Sequence, residues 1–229
     1  MHCEPWKAIL WDVDGTLIET TALIVSCLDQ TFREFLGRSL PLTELRALIG
    51  TPLDEQILAL GDPRQHNVNP DDMVAAFIRR YEQGRDQEHI IDEAVAALLE
   101  CKRLGIATAL VTSKNDSELA NTLPRMGITA YCDAIVGADQ VAPDFKPHPR
   151  SVLMALHLLG DIDPTAAVFI GDSVHDIRAG RAAGVATAAV TWGAGTEASL
   201  RGENPDYVID RPDRLVAVLA GERLPAAIS

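Results

Sequence analysis

Six short apolar runs, at residues 8–11, 106–111, 134–136, 166–170, 186–190 and 207–209, most narrow what this chain can fold into. The last five alternate with amphipathic stretches of helix length, and such alternation predicts a parallel sheet with helices on both faces. The first run stands apart from them. Between it and the rest, from about Thr20 to His89, Leu23, Cys27, Leu28, Phe32, Phe35 and Leu36 recur at three- and four-residue spacing, which predicts a small helical unit without strands. Within that unit Thr51-Pro52 and Asn69-Pro70 each set an N-cap type of residue before a proline suited to a first helical turn. A lone strand needs a partner, so run 8–11 is expected to join the later sheet. The expected fold class is α/β, with a core from residues 1–18 and 90–229 and an all-helical insertion at 19–89.

Charge limits the partners. The 20 Lys and Arg against 33 Asp and Glu give a net charge of −13. Such a field repels phosphate backbones and anionic lipid, so neither nucleic acid nor a membrane is an expected partner. A small anion can bind only where a few cations or a metal overturn that field locally. No run approaches the roughly 18 consecutive apolar residues of a membrane span, and the opening MHCEPWKAILWDVDG has no basic stretch leading into an apolar one. The expectation is a cytoplasmic protein. Cys3, Cys27, Cys101 and Cys132 show no CxxC spacing and are expected as reduced thiols, and the six histidines show no ligand spacing.

In open α/β sheets, functional groups gather at the carboxyl ends of the strands. Four such ends carry chemistry here. Asp12 and Asp14 end the first run; one residue apart in extended backbone, their carboxylates face the same side. Two neighbouring carboxylates drive their pKa values apart, so that one can act as nucleophile and the other as proton donor. Thr112 and Ser113 end the second run just before a helix start, where a hydroxyl and free amides suit a phosphoryl oxygen and equally suit simple capping. Lys146 sits in Asp144-Phe-Lys-Pro-His-Pro149, whose prolines fix where its side chain begins. Asp172 and Asp176 follow the fourth run. Ser173 and Asp176 have capping-box spacing, whereas Asp172 among other carboxylates makes sense with a hard, oxygen-loving cation, Mg²⁺ before zinc.

Taken in order, Asp12-Val-Asp-Gly-Thr-Leu17, Val111-Thr112, Lys146-Pro-His-Pro149 and Gly171-Asp-Ser-Val-His-Asp176 resemble the four motifs of the haloacid dehalogenase superfamily. The resemblance spans essentially the whole chain, and the helical insertion after the first motif looks like the cap domain of the phosphoglycolate-phosphatase-like branch. It implies a Rossmann-like core and a Mg²⁺-dependent phosphatase acting on a small organic phosphate monoester, such as phosphoglycolate or a sugar phosphate. By the resemblance, Asp12 attacks phosphorus to give an aspartyl-phosphate, and Asp14 protonates the leaving oxygen and then activates water. Mg²⁺ is held by the Asp12 carboxylate, the Asp14 backbone carbonyl and Asp172, with Asp176 behind them. Thr112 and Lys146 bind the transferring phosphoryl group, and Ser113 adds its amide.

Departures from the family pattern sort its chemistries. Asp14 is present where the dehalogenase branch replaces it, and Gly171 stands where the related sugar phosphomutases typically carry Glu. Asp14 disfavours carbon–halogen cleavage and a non-enzymatic phosphoryl-accepting module, Gly171 disfavours a phosphomutase, and a phosphatase is the favoured reading over these alternatives. Within the cap, Arg46 and the stretch Gly50-Thr-Pro-Leu-Asp-Glu55 resemble the region that faces the active site, which makes Arg46 a candidate for substrate specificity; a solvated helix face is the other reading of Arg46. His175, beside the fourth motif, is at most a specificity residue. Substrate identity and oligomeric state have no signature in the sequence.

Overall fold

The computed structural model describes residues 6–216. The chain begins with β1 (Ala8–Trp11) and β2 (Ile18–Glu19), then runs through α1 (Thr21–Leu36), α2 (Leu42–Ala47), α3 (Leu53–Gly61) and α4 (Pro70–Gln83). It returns through β3 (His89–Ile90) to α5 (Asp92–Arg103), β4 (Ala107–Val111), α6 (Asp116–Met126) and β5 (Ala134–Val136). The remainder is α7 (Arg150–Leu158), β6 (Ala167–Gly171), α8 (Val174–Ala183), β7 (Ala186–Val190), α9 (Glu197–Gly202) and β8 (Tyr207–Ile209).

Six strands form one parallel sheet in the order β5-β4-β1-β6-β7-β8, so β1 pairs on one side with β4 and on the other with β6. The expectation that the isolated first run joins the later sheet holds. Period-two alternation explains why these runs are apolar throughout: Ile9 and Trp11 point into one core with residues of α5 and α6, while Ala8 and Leu10 point into a second core with residues of α7 and α8. Both faces of the central strand are thus dry, and β1 is fully buried along its length. The order in which strands are added reverses at β1, and that is where open α/β sheets present a crevice at their carboxyl ends.

The helical insertion packs around its own core. Leu23, Leu28 and Phe32 of α1 meet Leu45 of α2, Ile57 of α3 and Met73 and Phe77 of α4, with Ala194 of the sheet side closing the cluster. Asn69 caps α4 as expected, its side chain accepting from the Asp71 N–H with Pro70 in the first turn. Two expectations need correction. Thr51 does not cap α3: Pro52 holds that position, and the Thr51 hydroxyl donates back to the Leu48 carbonyl at 2.9 Å. Nor is the insertion free of strand, because β2 and β3 pair antiparallel as a two-residue ribbon where the chain leaves and re-enters the sheet domain. Two residues are too few for any periodicity to show.

Candidate active site

Asp12 leaves β1 with its N–H still bonded to the Ile170 carbonyl of β6, so its position is set by the sheet. The chain then turns tightly: the Gly15 N–H donates to Ile18 O at 2.7 Å and Leu17 to Val13 O at 2.9 Å. Gly15 has φ +73°, and a Cβ there would run into the Asp172 carboxylate. The turn therefore brings the ends of β1 and β6 into contact.

Lys146 lies at the centre of the buried group. Its ammonium donates to Asp12 Oδ1 and Asp176 Oδ1, each at 2.7 Å, and to the Val111 carbonyl at 3.3 Å, which uses all three of its protons. Burial opposes that charge, but the carboxylates of Asp12 and Asp176 hold Lys146 above its ordinary pKa. Asp176 does two jobs at once. Its Oδ2 accepts from the Ser173 amide at 3.0 Å and hydroxyl at 2.5 Å, forming the capping box of α8, while Oδ1 serves Lys146. Asp172 is fixed by the Ala194 N–H, which donates to Oδ2 at 2.5 Å.

Three carboxylates face one ammonium here. Burial pushes Asp12 up to about 7 from its ordinary 3.8 in spite of Lys146, with Asp176 and Asp14 adding to the rise. Asp172 is raised by burial as well, and then by Asp12 and Asp176. Carboxylate oxygens of Asp12, Asp172 and Asp176 lie within 4.8 Å of one another. An all-oxygen set short of positive charge fits a hard divalent cation, and no His or Cys belongs to the cluster.

Asp14 is not a side-chain member of that cluster, although it lines the same pocket as Asp12. Its Oδ1 accepts from the Thr20 hydroxyl at 2.8 Å and pairs with Lys114 at 3.0 Å. Lys114 went unnoticed in the sequence. It is 6% exposed, lies 5.1 Å from the centre of the Tyr81 ring, and is held above its ordinary pKa by Asp14 and Tyr81 against the pull of burial. Tyr81 in turn donates to Glu88 at 2.6 Å. The available signal was position: Lys114 comes two residues after Thr112, before the Asn115 cap of α6, in the loop that follows β4, the strand beside β1.

Thr112 is buried at the end of β4, its N–H on the Val136 carbonyl and its hydroxyl accepting from the Lys114 N–H at 3.2 Å. Ser113 donates its hydroxyl to the Gly50 carbonyl of the insertion at 2.5 Å. Arg46, also of the insertion, donates to the carbonyls of Gly193 at 2.5 Å and Ala194 at 3.0 Å, and does not line the pocket that holds Asp12 and Asp14. The His175 Nε2 meets the Ala47 carbonyl at 3.3 Å. Arg80 pairs with Glu34. Cys27 and Cys101 are buried free thiols, pushed up by burial to about 11 and about 12; His2 and Cys3 lie outside the described residues. No described helix is long and apolar enough to cross a membrane.

Comparison with known proteins shows the family. The chain is 34% identical over 216 residues to the probable phosphatase IndB of Dickeya dadantii, covering 88% of each protein. It is 32% identical to the pyrophosphatase PpaX of Bacillus velezensis, covering 92% of this chain and 95% of that one. A haloacid dehalogenase-like family hydrolase from Streptococcus pneumoniae superposes with a TM-score of 0.78 at 26% identity, over 93% of this chain and 98% of that one. The model of the haloacid dehalogenase-like hydrolase family matches residues 9–190, and the chain belongs to that family.

Proposed function

We propose that this haloacid dehalogenase-like phosphatase is Mg²⁺-dependent and hydrolyses a small organic phosphate monoester, phosphoglycolate-like or sugar-phosphate-like, through an aspartyl-phosphate on Asp12. The observation that carries the reading is the buried set of Asp12, Asp172 and Asp176 around the Lys146 ammonium, with Asp14 held separately by Lys114 and Thr20. Asp12 and Asp172, with the Asp14 backbone carbonyl, would hold Mg²⁺, and Asp176 would keep Lys146 in place. Mg²⁺ bound there supplies positive charge to the phosphoryl oxygens. Asp12 is the nucleophile, since its carboxylate is anchored at the sheet and offset by one ammonium. Asp14 is the acid and then the base, oriented from two sides by groups that do not touch Asp12. Thr112 and the Ser113 amide receive the phosphoryl oxygens, and Lys146 does so by giving up its longest bond, the one to the Val111 carbonyl.

Residues 19–89 act as a cap over the core of 1–18 and 90–229, turning about the β2–β3 ribbon. Closure is supported by the Ser113, His175 and Arg46 contacts across the boundary. Arg46 then acts on closure and reaches the substrate only through it. A Cβ at Gly171 would run into Asp176, which supports the phosphatase over the mutase reading.

The test is phosphate release from a panel of small phosphate esters and pyrophosphate, with Mg²⁺ and with excess chelator, beside the Asp12→Asn protein. Release that needs the metal and disappears with the substitution is the expected result. Turnover retained by folded Asp12→Asn would remove the nucleophile assignment and the mechanism with it.

A further inference from the structure

Gln56, in α3, lines the pocket that holds Asp12 and Asp14, together with the apolar side chains of Ile24, Leu53 and Phe77. It is 7% exposed. Its Nε2 donates to the Thr51 carbonyl at 2.7 Å, which orients the amide, because a carbonyl can be met only by the NH₂ end. Oε1 is left buried and without a partner among the described residues. Leaving a buried carbonyl unpaired is costly, and native structures rarely keep one without a reason.

The charges around this pocket say what kind of group could satisfy it. Its lining carries the carboxylates of Asp12, Asp14 and Glu118 and one cation, Lys114, whose charge is already committed to Asp14 at 3.0 Å. A leaving group bearing a carboxylate or a second phosphate would bring more negative charge among carboxylates, and only further acceptors to Gln56 Oε1. An uncharged leaving group with an O–H would give that oxygen its missing donor. Resting on the phosphatase reading above, we propose that Gln56 is a specificity-determining residue that accepts a hydrogen bond from a hydroxyl of an uncharged leaving group. The substrate class is then a polyol or sugar phosphate, not a phosphocarboxylate or a diphosphate.

The experiment compares kcat/KM for glycerol 1-phosphate and propyl phosphate, which differ in the hydroxyls of the leaving group, with phosphoglycolate, pyrophosphate and p-nitrophenyl phosphate beside them. The wild-type protein is expected to prefer glycerol 1-phosphate over propyl phosphate by about tenfold or more, as a site built to bond a hydroxyl does. In Gln56→Met and Gln56→Leu that ratio is expected to fall to within about threefold. A wild-type ratio near one overturns the assignment without recourse to any variant. Faster release from phosphoglycolate or pyrophosphate than from glycerol 1-phosphate overturns it too, as does a ratio that survives in both folded variants. Release from p-nitrophenyl phosphate but not from glycerol 1-phosphate removes this inference alone, whereas no release from any ester removes the phosphatase reading beneath it.

Discussion

Replacing Asp12 by asparagine should make the metal-free protein more stable. Burial raises Asp12 to about 7 from its ordinary 3.8, so the folded protein holds a proton that the unfolded chain has released. The sign follows from linkage: what Asp12 contributes to stability is complete below about pH 4 and is lost as pH rises through about 7. The rise from 3.8 to about 7 corresponds to about 4 kcal/mol at about 1.4 kcal/mol per pKa unit. Asp172, also raised, shares the strain of the site, so a single substitution recovers less, about 2 kcal/mol. Asparagine keeps the shape and a carbonyl for the Lys146 ammonium while removing the charge. In chelator at pH 8, Asp12→Asn should therefore exceed the wild type by about 2 kcal/mol in urea unfolding, and by under about 1 kcal/mol at pH 5. Trp11 in the core, with Trp6 and Trp192 packed against it, makes tryptophan fluorescence a report on the sheet domain. Adding Mg²⁺ at pH 8 should stabilise the wild type and narrow the gap. An Asp12→Asn protein less stable than wild type at pH 8, or a gap that widens towards pH 5, would refute the reasoning.

Gly15→Ala places a Cβ against the Asp172 carboxylate at a positive φ, and should weaken Mg²⁺ binding by about tenfold or more in isothermal titration calorimetry, with activity falling alongside. Asn115→Ala removes the capping box of α6 and should cost about 1 kcal/mol in the same urea assay. Arg46→Ala frees the Gly193 and Ala194 carbonyls and should loosen the closed cap, read as a larger radius of gyration in solution scattering. An unchanged radius with substrate selectivity altered would return Arg46 to a direct role in specificity.

Asp12 and Lys146 are 134 residues apart in the chain, yet both stood out in the sequence, because each sits where an apolar run or a proline-framed loop stops at a charged side chain. The strands were legible for a related reason: burial on both faces demands unbroken apolar runs, and few other structures do. At Asp176 the sequence left capping and chemistry open, and the structure shows one carboxylate making both sets of bonds with its two oxygens. What stayed hidden has a common physical cause. Lys114 finds Asp14 only because β4 lies beside β1, and strand order is not written in any local pattern. Arg46, Ser113 and His175 cross the cap boundary to the carbonyls of Gly193, Ala194, Gly50 and Ala47. Gln56 is oriented by the carbonyl of Thr51. Every residue owns a backbone carbonyl, so an acceptor of that kind leaves no mark on the amino-acid sequence. Charged side chains at strand ends can therefore be read before folding, whereas the contacts that seat the insertion against the sheet exist only once the backbone is in place.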